Sequence, residues 1–326
     1  MTAALPILAS LGEDAGEQGF TGFEAWIDFS GFGEFGFGDV PIIKETFVEA
    51  SDLLRIDLWK MVLDGPAEDL AQTVNTQPLM LTAGVATWRA WRSQGGAMPD
   101  YFAGHSLGEY SALVAAEAIG FADAVPLVRF RAEAMQEAVP AGQGGIAAIL
   151  GLDDNAVKAA CAEAAQGDIV EPANYNSPGQ LVISGSRAAV ERAIEAAKAR
   201  GAKRAIMLPM SIPAHSSLMR PAAERLRERI AAIRVVPSKV PVIQNVDVAS
   251  FNDPAAIKDA LVRQIYAPVR WIETIKALAD AGIKHVVECG PGRVLVGLNK
   301  RIDDRIQAAS IHDQASLDAV RASLNG

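Results

Sequence analysis

The stretch GHSLGEYSAL, residues 104–113, places a serine between two glycines in the pattern G-x-S-x-G. The pattern is typical of a sharp turn between a strand and a helix, in which glycines relieve backbone crowding and the serine hydroxyl projects outward. The apolar run YFAGHS leads into the serine, and the helical pattern LGEYSALVAAEAIG follows it. The stretch therefore predicts that Ser106 is a nucleophile at a strand-to-helix turn of an α/β protein.

The composition indicates a large globular chain with an acidic surface. Half of the 326 residues are hydrophobic and the formal net charge is -9, which suits a large domain with a smaller one beside it. Broad binding to nucleic acid or to anionic membranes is driven by basic surfaces. The charge therefore excludes non-specific nucleic-acid and membrane binding as the main role of the chain.

The cysteines and the apolar runs bear on the cellular compartment. Cys161 and Cys289 are far apart and follow no C-x-x-C or Cys/His spacing, so the sequence predicts neither a disulfide framework nor a metal site. No stretch approaches the roughly 18 continuous apolar residues of a spanning helix, and residues 1–18 lack the basic start of a signal peptide. We expect a cytoplasmic protein without a membrane partner.

A separable pattern of strands and helices occupies residues 142–210. The segments read in turn as strand, helix, strand, strand, helix and strand: GIAAILGL, DDNAVKAACAEAAQ, DIVEPANYN, GQLVISG, SRAAVERAIEAAKARG and KRAIMLPM. This βαββαβ order is typical of the ferredoxin-like arrangement. We therefore predict a larger α/β-hydrolase-like domain with a parallel sheet over residues 1–140 and 211–326. We also predict that a ferredoxin-like subdomain, residues 141–210, is inserted into this domain.

A serine hydroxyl is a weak nucleophile until a base accepts its proton, so Ser106 needs a histidine partner. His105 is adjacent in sequence and would point away from the serine, whereas His285 lies in an apolar run typical of packed core residues. His312 lies among polar residues near the C-terminus. His215 lies in SIPAHSSLM, an irregular segment that can present a side chain. These contexts favour His215 as the base.

Acyl transfer also needs donors for the oxyanion that forms during attack. The backbone N–H of Leu107, at the start of the helix after the turn, is one candidate, because a helix N-terminus favours negative charge. Arg131 lies on the predicted helix LVRFRAEAMQEAV. It can either lie in solvent beside Glu133 and Glu137 or turn inward and bind a carboxylate at two points. Spacing alone leaves both arrangements open.

Seven segments of the chain, taken in order, resemble one family of acyltransferases. They are GHSLGEYSALVAAEAIGFADAV, LVRFRAEAMQEAVP, NYNSPGQLVISG, LPMSIPAHSSLM, PVIQNVDV, LVRQIYAPVRW and ECGPGRVLVGLNKRI. From about Pro41 to the C-terminus, the chain resembles the malonyl-CoA:acyl-carrier-protein transacylases of bacterial type II fatty acid synthesis. Seven ordered segments make this resemblance far more specific than the G-x-S-x-G pattern alone.

The resemblance implies an enzyme that moves a malonyl group between two thiols. Ser106 matches the family's nucleophile, which accepts malonyl from malonyl-CoA as an ester and passes it to the phosphopantetheine thiol of acyl carrier protein. His215 matches the general acid/base, and Arg131 matches the arginine that pairs with the malonyl carboxylate. The implied partners are malonyl-CoA and acyl carrier protein, with no cofactor beyond the coenzyme A thioester and no metal.

Three further positions match family residues that surround the catalytic pair. Leu107 matches an amide of the oxyanion hole, and Gln77, in NTQPLM, matches a glutamine that lines the acyl site. Gln264, in LVRQIYAP, matches the residue that orients the catalytic histidine through a carbonyl rather than through an aspartate carboxylate. The resemblance therefore implies that all three lie beside Ser106.

The N-terminal segment departs from the family pattern. Members carry a glycine-rich loop, F-P-G-Q-G-S-Q, whose glutamine supplies the second amide of the oxyanion hole. No Pro-Gly-Gln precedes Ser106, and the corresponding span, residues 19–28, holds GFTGFEAWID. Three explanations are that a different local backbone supplies the amide, that the chain is a weakened paralogue, or that the natural N-terminal sequence differs from the written one. We favour the last, because the segment GFGEFGFGDV lacks periodicity.

Two other functions remain open. A serine hydrolase or thioesterase of the α/β-hydrolase type orders its triad as serine, acid and C-terminal histidine, which would use Asp247 with His285 or His312. A weakened paralogue would instead bind acyl carrier protein without turning over. The first alternative requires a histidine other than His215 beside Ser106, and the second predicts carrier binding without an acyl-enzyme.

Overall fold

The structure is a computed structural model that describes residues 3–6, 37 and 40–325 of the chain. Its strands are β1 Ala3–Pro6, β2 Tyr101–Ala103, β3 Gly144–Leu150, β4 Val170–Ser177, β5 Gln180–Ser186, β6 Arg204–Met207, β7 Val242–Ile243, β8 His285–Cys289 and β9 Gln307–Ile311. Its helices are α1 Pro41–Leu54, α2 Leu58–Asp64, α3 Ala67–Ala71, α4 Thr73–Ser93, α5 Gly108–Ala115, α6 Phe121–Ala138, α7 Asp154–Ala165, α8 Arg187–Ala199, α9 Arg220–Ala231, α10 Pro254–Gln264, α11 Trp271–Asp280, α12 Val294–Ile302 and α13 Gln314–Asn325. The predicted mixed α/β class is therefore confirmed.

The larger sheet is parallel. Its strand order is β7-β2-β1-β8-β9, and each neighbouring pair runs in the same direction. Parallel neighbours need long crossovers, and helices α1 to α4 form the crossover between β1 and β2. The sheet is packed between apolar clusters, and Phe102 of β2 is fully buried. Because β2 and β7 are parallel neighbours, the residues that follow their carboxyl ends meet at one edge of the sheet.

The smaller sheet is antiparallel and is formed by β3 to β6. Its elements follow the order β3, α7, β4, β5, α8 and β6, and the strand order is β4-β5-β3-β6. Helix α8 carries its buried residues at helical spacing, so one face of the helix covers the sheet; they are Ala189, Val190, Ala193, Ile194 and Ala197. These residues belong to an apolar core of their own, separate from that of the larger sheet.

The turn between β2 and α5 has the strand, serine and helix order that the G-x-S-x-G pattern predicts. Ser106 has a φ of 52°, in the left-handed region that side chains other than glycine seldom adopt. A Cβ at Gly104 would lie 1.9 Å from the backbone carbon of Gly108, so glycine is required where the strand and the helix approach each other. The turn places Ser106 directly before the N-terminus of α5.

The predicted position of the second oxyanion-hole loop, residues 19–28, lies outside the described residues. Most of the segment GFGEFGFGDV, on which the hypothesis about the N-terminal sequence rests, also lies outside them. Strand β1 is described, and it pairs with β2 on one side and β8 on the other. Across the described part of the chain, no helix is both long and apolar enough to cross a membrane.

Candidate active site

The backbone of the serine turn is held by a side chain that follows the neighbouring strand. The N–H of Ser106 donates to Asn245 Oδ1 at 2.7 Å, and Asn245 Nδ2 donates to the carbonyl of Gly104 at 2.5 Å. Asn245 follows β7, whose pairing with β2 brings the two carboxyl ends together. Sequence reasoning missed this residue, although a polar side chain at the carboxyl end of a parallel strand is a typical site signal.

His215 is the histidine that the structure brings to Ser106. Its Nε2 lies 2.8 Å from Ser106 Oγ, and its Nδ1 lies 2.8 Å from the carbonyl oxygen of Gln264 and 3.2 Å from that of Ala267. A carbonyl can only accept a hydrogen bond, so Nδ1 carries the proton and Nε2 is free to accept one. Burial, aided by the positive charge of Arg131, lowers the pKa of His215 to about 3. The imidazole is therefore neutral at neutral pH and can act as a base.

Arg131 points inward from α6 and is 2% exposed. Its Nη1 donates to Gln77 Oε1 at 2.7 Å, and its Nη2 donates to Gln264 Oε1 at 3.0 Å and to Ser106 Oγ at 3.3 Å. The two glutamines hold the plane of the guanidinium, which leaves its edge beside the serine hydroxyl for an anion. The structure thus answers the question that sequence spacing left open.

The glutamates that could have kept Arg131 in solvent pair with other arginines. Glu133 accepts from Arg129 at 2.7 Å, and Glu137 accepts from Arg225 at 2.6 Å. Both of these pairs are partly exposed. Arg131 therefore owes its orientation to the residues of the site, not to carboxylates on its own helix.

Gln264 connects the histidine, the arginine and the serine. Its backbone carbonyl accepts from His215, as the resemblance implies, and its Oε1 accepts from Arg131. Its Nε2 donates to the backbone carbonyl of Ser106 at 2.8 Å and to Glu109 Oε2 at 3.0 Å. One residue at the end of α10 therefore fixes the relative positions of three groups of the site.

Glu109 is a buried carboxyl group that sequence reasoning missed. It lies in the first turn of α5, where an acidic residue is an ordinary feature of a helix N-terminus. Its side chain is nevertheless fully buried, and Oε2 accepts from the N–H of Asn245 at 2.9 Å as well as from Gln264. Burial raises the pKa of Glu109 to about 7. The surrounding apolar pattern in SLGEYSAL is the signal that could have marked this position.

Leu107 directly follows the serine and precedes α5. Within the described residues its N–H has no hydrogen-bond partner, whereas the next N–H groups bond to carbonyls of the turn. An unpaired N–H beside Ser106 and at a helix N-terminus can receive an oxyanion. This geometry fits the oxyanion-hole role that the resemblance implies for Leu107.

The other histidines do not form the triad of the hydrolase alternative. Nε2 of His105 lies 2.9 Å from Asn176 Oδ1 on β4, so this histidine faces the smaller sheet. Asp247 forms an ion pair with Arg263 at 2.6 Å, and His312 Nδ1 lies 3.1 Å from Ser310 Oγ. Since His215 bonds to Ser106, the structure does not support a triad of Ser106, Asp247 and a C-terminal histidine.

Comparison with known proteins identifies the family. A family model described as acyl transferase domain matches residues 44–313. The chain is 55% identical over 279 residues to the malonyl CoA-acyl carrier protein transacylase of Salmonella typhimurium, and the match covers 86% of this chain and 90% of the relative. The chain belongs to the malonyl CoA-acyl carrier protein transacylase family.

Solved structures of the transacylase family share the fold of this chain. The acyl-carrier-protein S-malonyltransferase of Burkholderia pseudomallei is similar with a TM-score of 0.91 and 52% identity, over 99% of this chain and 100% of that one. A malonyl-transacylase solved in complex with its type II PKS acyl-carrier protein is similar with a TM-score of 0.92 and 45% identity, over 99% of this chain and 100% of that one. The resemblance found in the sequence is confirmed.

The site of this transacylase is a connected network around Ser106. Five predicted residues share hydrogen bonds within it: Ser106, His215, Arg131, Gln77 and Gln264. Leu107 lies next to the serine in the chain. Two residues that sequence reasoning did not assign, Asn245 and Glu109, complete the network.

Proposed function

We propose that the chain transfers the malonyl group from malonyl-CoA to the phosphopantetheine thiol of acyl carrier protein through a malonyl ester on Ser106. One observation carries the proposal: the Ser106 hydroxyl lies 2.8 Å from the His215 base and 3.3 Å from the Arg131 guanidinium. A nucleophile, a base and a carboxylate-binding cation thus meet at one oxygen. The names of the relatives and the complex of a related transacylase with its carrier support the same reaction.

The first half-reaction forms the ester. Ser106 Oγ attacks the thioester carbonyl of malonyl-CoA while His215 Nε2 takes the hydroxyl proton. The carbonyl oxygen becomes an oxyanion that the N–H of Leu107 and the N-terminus of α5 stabilise. The carbon–sulfur bond then breaks, and protonated His215 returns the proton to the departing coenzyme A thiolate.

The second half-reaction reverses these steps with a different thiol. His215 takes the proton of the phosphopantetheine thiol, whose sulfur attacks the ester carbonyl on Ser106. The carbon–oxygen bond of the ester breaks, and His215 returns the proton to Ser106 Oγ. A thioester and an ester exchange one acyl group without oxidation or reduction, so we propose that no cofactor is needed beyond the coenzyme A thioester.

Arg131 gives the proposed reaction its preference for malonyl groups. A carboxylate that enters the buried site without a cation is expensive, whereas the planar guanidinium can bind it at two points. An acetyl group offers no carboxylate and leaves the guanidinium without an anion. Gln77 and Gln264 hold the guanidinium in the orientation that this discrimination needs.

We also propose the division of the chain into two parts. Residues 1–140 and 211–326 form an α/β-hydrolase-like domain, and residues 141–210 form a ferredoxin-like subdomain inserted into it. The βαββαβ order, the strand order β4-β5-β3-β6 and a separate apolar core support the subdomain. The cysteines of the chain, Cys161 and Cys289, are free and buried, which supports a reducing compartment such as the cytoplasm.

The experiment that tests the function separates the two half-reactions. The protein is mixed with malonyl-CoA without carrier, and intact mass with peptide mapping is expected to find malonyl on Ser106. Addition of phosphopantetheinylated acyl carrier protein is expected to move the group to the carrier. Ser106→Ala is the control and should form no adduct.

Two outcomes would overturn the proposed function. A folded protein that binds carrier but forms no adduct would be a scaffold rather than a transferase. An adduct that is released as free malonate and never reaches the carrier would indicate a hydrolase or thioesterase.

A further inference from the structure

A closed ring of hydrogen bonds runs through Ser106, and one carboxyl oxygen anchors it. Glu109 Oε2 accepts from the N–H of Asn245 at 2.9 Å and from Gln264 Nε2 at 3.0 Å. Asn245 Oδ1 in turn accepts from the N–H of Ser106 at 2.7 Å, and Gln264 Nε2 donates to the backbone carbonyl of Ser106 at 2.8 Å. Both backbone polar groups of the nucleophile are therefore held by residues that meet at one atom of Glu109.

We propose that Glu109 is a positioning residue for malonyl transfer, which holds Ser106 and Gln264 in their reactive arrangement. This inference rests on the proposed function of the site. The side chain of Glu109 bonds to Asn245 and Gln264 and acts on Ser106 through these two residues. Because Gln264 also bonds to His215 and Arg131, displacement of Glu109 moves the nucleophile, the base and the cation together.

Ser106 needs such support because of its backbone conformation. Its φ of 52° lies in the left-handed region, which the Cβ of a serine disfavours. Hydrogen bonds from residues outside the turn must therefore hold Ser106 in this conformation. Asn245, which follows β7, and Gln264, at the end of α10, supply these bonds, and Glu109 connects both residues to the helix that follows the serine.

The charges around Glu109 predict how its ionisation affects the reaction. Burial raises its pKa to about 7. The charged and titratable groups that interact with its carboxyl group are Arg131 of α6, Asp247 after β7, and Tyr110, which follows Glu109 in the chain. His215, whose pKa is lowered to about 3, stays neutral across the same range. Glu109 is accordingly the group of this ring that changes charge between pH 6 and 8.

An ionised Glu109 competes with malonyl for the field of Arg131. Below pH 7 the carboxyl group is neutral, and the positive charge of Arg131 is available to the malonyl carboxylate. Above pH 7 the carboxylate partly cancels that charge. We therefore expect kcat/KM for malonyl-CoA to fall by about tenfold through this range, because the Glu109 carboxylate repels the malonyl carboxylate beside the same cation, and a like charge at such a site is worth about one pKa unit. Most of the change should appear in KM.

The test compares two substitutions of the same side chain. Glu109→Gln keeps the shape and one acceptor oxygen for Asn245 and Gln264 but cannot ionise. At pH 6 it is expected to retain kcat within about threefold and to lose the decline of kcat/KM above pH 7. Glu109→Ala removes the acceptor and is expected to lower kcat about ten- to hundredfold at every pH. A kcat that is low in Glu109→Ala but near the wild-type value in Glu109→Gln shows that the acceptor oxygen, and not the charge of the carboxylate, positions Ser106.

Glu288 offers a matched control. It too is a fully buried carboxyl group with a pKa raised to about 7 by burial, and it accepts from the N–H of Val296 at 3.0 Å, outside the ring. Glu288→Gln is therefore expected to keep the decline above pH 7. Ser106 malonylation is followed by quenched intact mass for all three variants and the wild type.

The outcomes distinguish this inference from the proposed function. Absence of a malonyl adduct in the wild type would overturn the function itself. If the wild type is malonylated but Glu109→Gln shows the same pH dependence, the role of Glu109 ionisation is refuted. Wild-type kcat in Glu109→Ala, or a kcat in Glu109→Gln as low as that of alanine, would refute positioning. If the alanine variant does not fold, the glutamine variant alone decides through its kcat at pH 6 and its pH profile.

Discussion

Replacing Arg131 with alanine is expected to abolish the preference for malonyl over acetyl groups. The guanidinium is fully enclosed, lies 3.3 Å from Ser106 Oγ, and is oriented by Gln77 and Gln264. A malonyl carboxylate bound there has its countercharge within hydrogen-bond reach. Arg131→Ala removes that countercharge and leaves the carboxylate to be buried alone.

The size of the effect follows from the cost of breaking a buried ion pair. Removal of one partner costs about 3–5 kcal/mol, and about 1.4 kcal/mol corresponds to a factor of ten in rate. The value of kcat/KM for malonyl-CoA should therefore fall about a hundred- to several-thousandfold. Acetyl-CoA carries no carboxylate, so its kcat/KM should change by less than about tenfold.

The assay measures acylation of Ser106 by malonyl-CoA and by acetyl-CoA in separate quenched time courses, read by intact mass. Arg129→Ala is the matched control, because Arg129 lies two residues away on the same helix and its pair with Glu133 is partly exposed. Partly exposed ion pairs contribute little to stability. The ratio of malonyl to acetyl acylation rates in Arg129→Ala should therefore stay at the wild-type value. Equal losses of malonyl and acetyl acylation in Arg131→Ala would refute the reasoning, since Arg131 would then support Ser106 rather than the carboxylate.

Three further substitutions test the network and the buried titrating groups. Asn245→Ala leaves the Ser106 N–H and the Gly104 carbonyl without their partner, so kcat should fall about five- to a hundredfold; steady-state kinetics with an unchanged kcat would contradict this. The pKa of Glu288 rises from 4.5 to about 7 on burial, so its stabilising contribution is complete below pH 4.5 and lost as the pH rises through 7. Urea midpoints should therefore fall less between pH 5 and 8 in Glu288→Gln than in the wild type, and an equal fall would rule this out. The pKa of His215 is lowered from 6.5 to about 3 by burial, so its contribution is complete above pH 6.5 and lost as the pH falls toward 3; His215→Gln should show a smaller loss of stability over that range in the same measurement.

The local parts of the site could be predicted because they are encoded by neighbouring residues. Strand β2, the glycine turn and α5 follow one another without interruption, so the position of Ser106 at the turn could be predicted from the spacing of Gly104 and Gly108. The segment SRAAVERAIEAAKARG likewise predicted a helix, and the structure has α8 over Arg187–Ala199. The choice of His215 rested on its irregular, proline-containing surroundings, and the structure places it at hydrogen-bond distance from Ser106.

The remaining parts depended on tertiary structure because they join residues that are far apart in the chain. Arg131 meets Gln264 across 133 positions, and Glu109 meets the backbone of Asn245 across 136 positions. The periodicity of neighbouring residues does not indicate such long-range contacts. A buried carboxyl or guanidinium group must find hydrogen-bond partners, but only the pairing of β2 with β7 and the packing of α10 against the turn determine which partners are within reach. The sequence by itself therefore predicted Ser106 as the nucleophile and His215 as its base, and the assembled sheet decided which side chains hold these two residues in place.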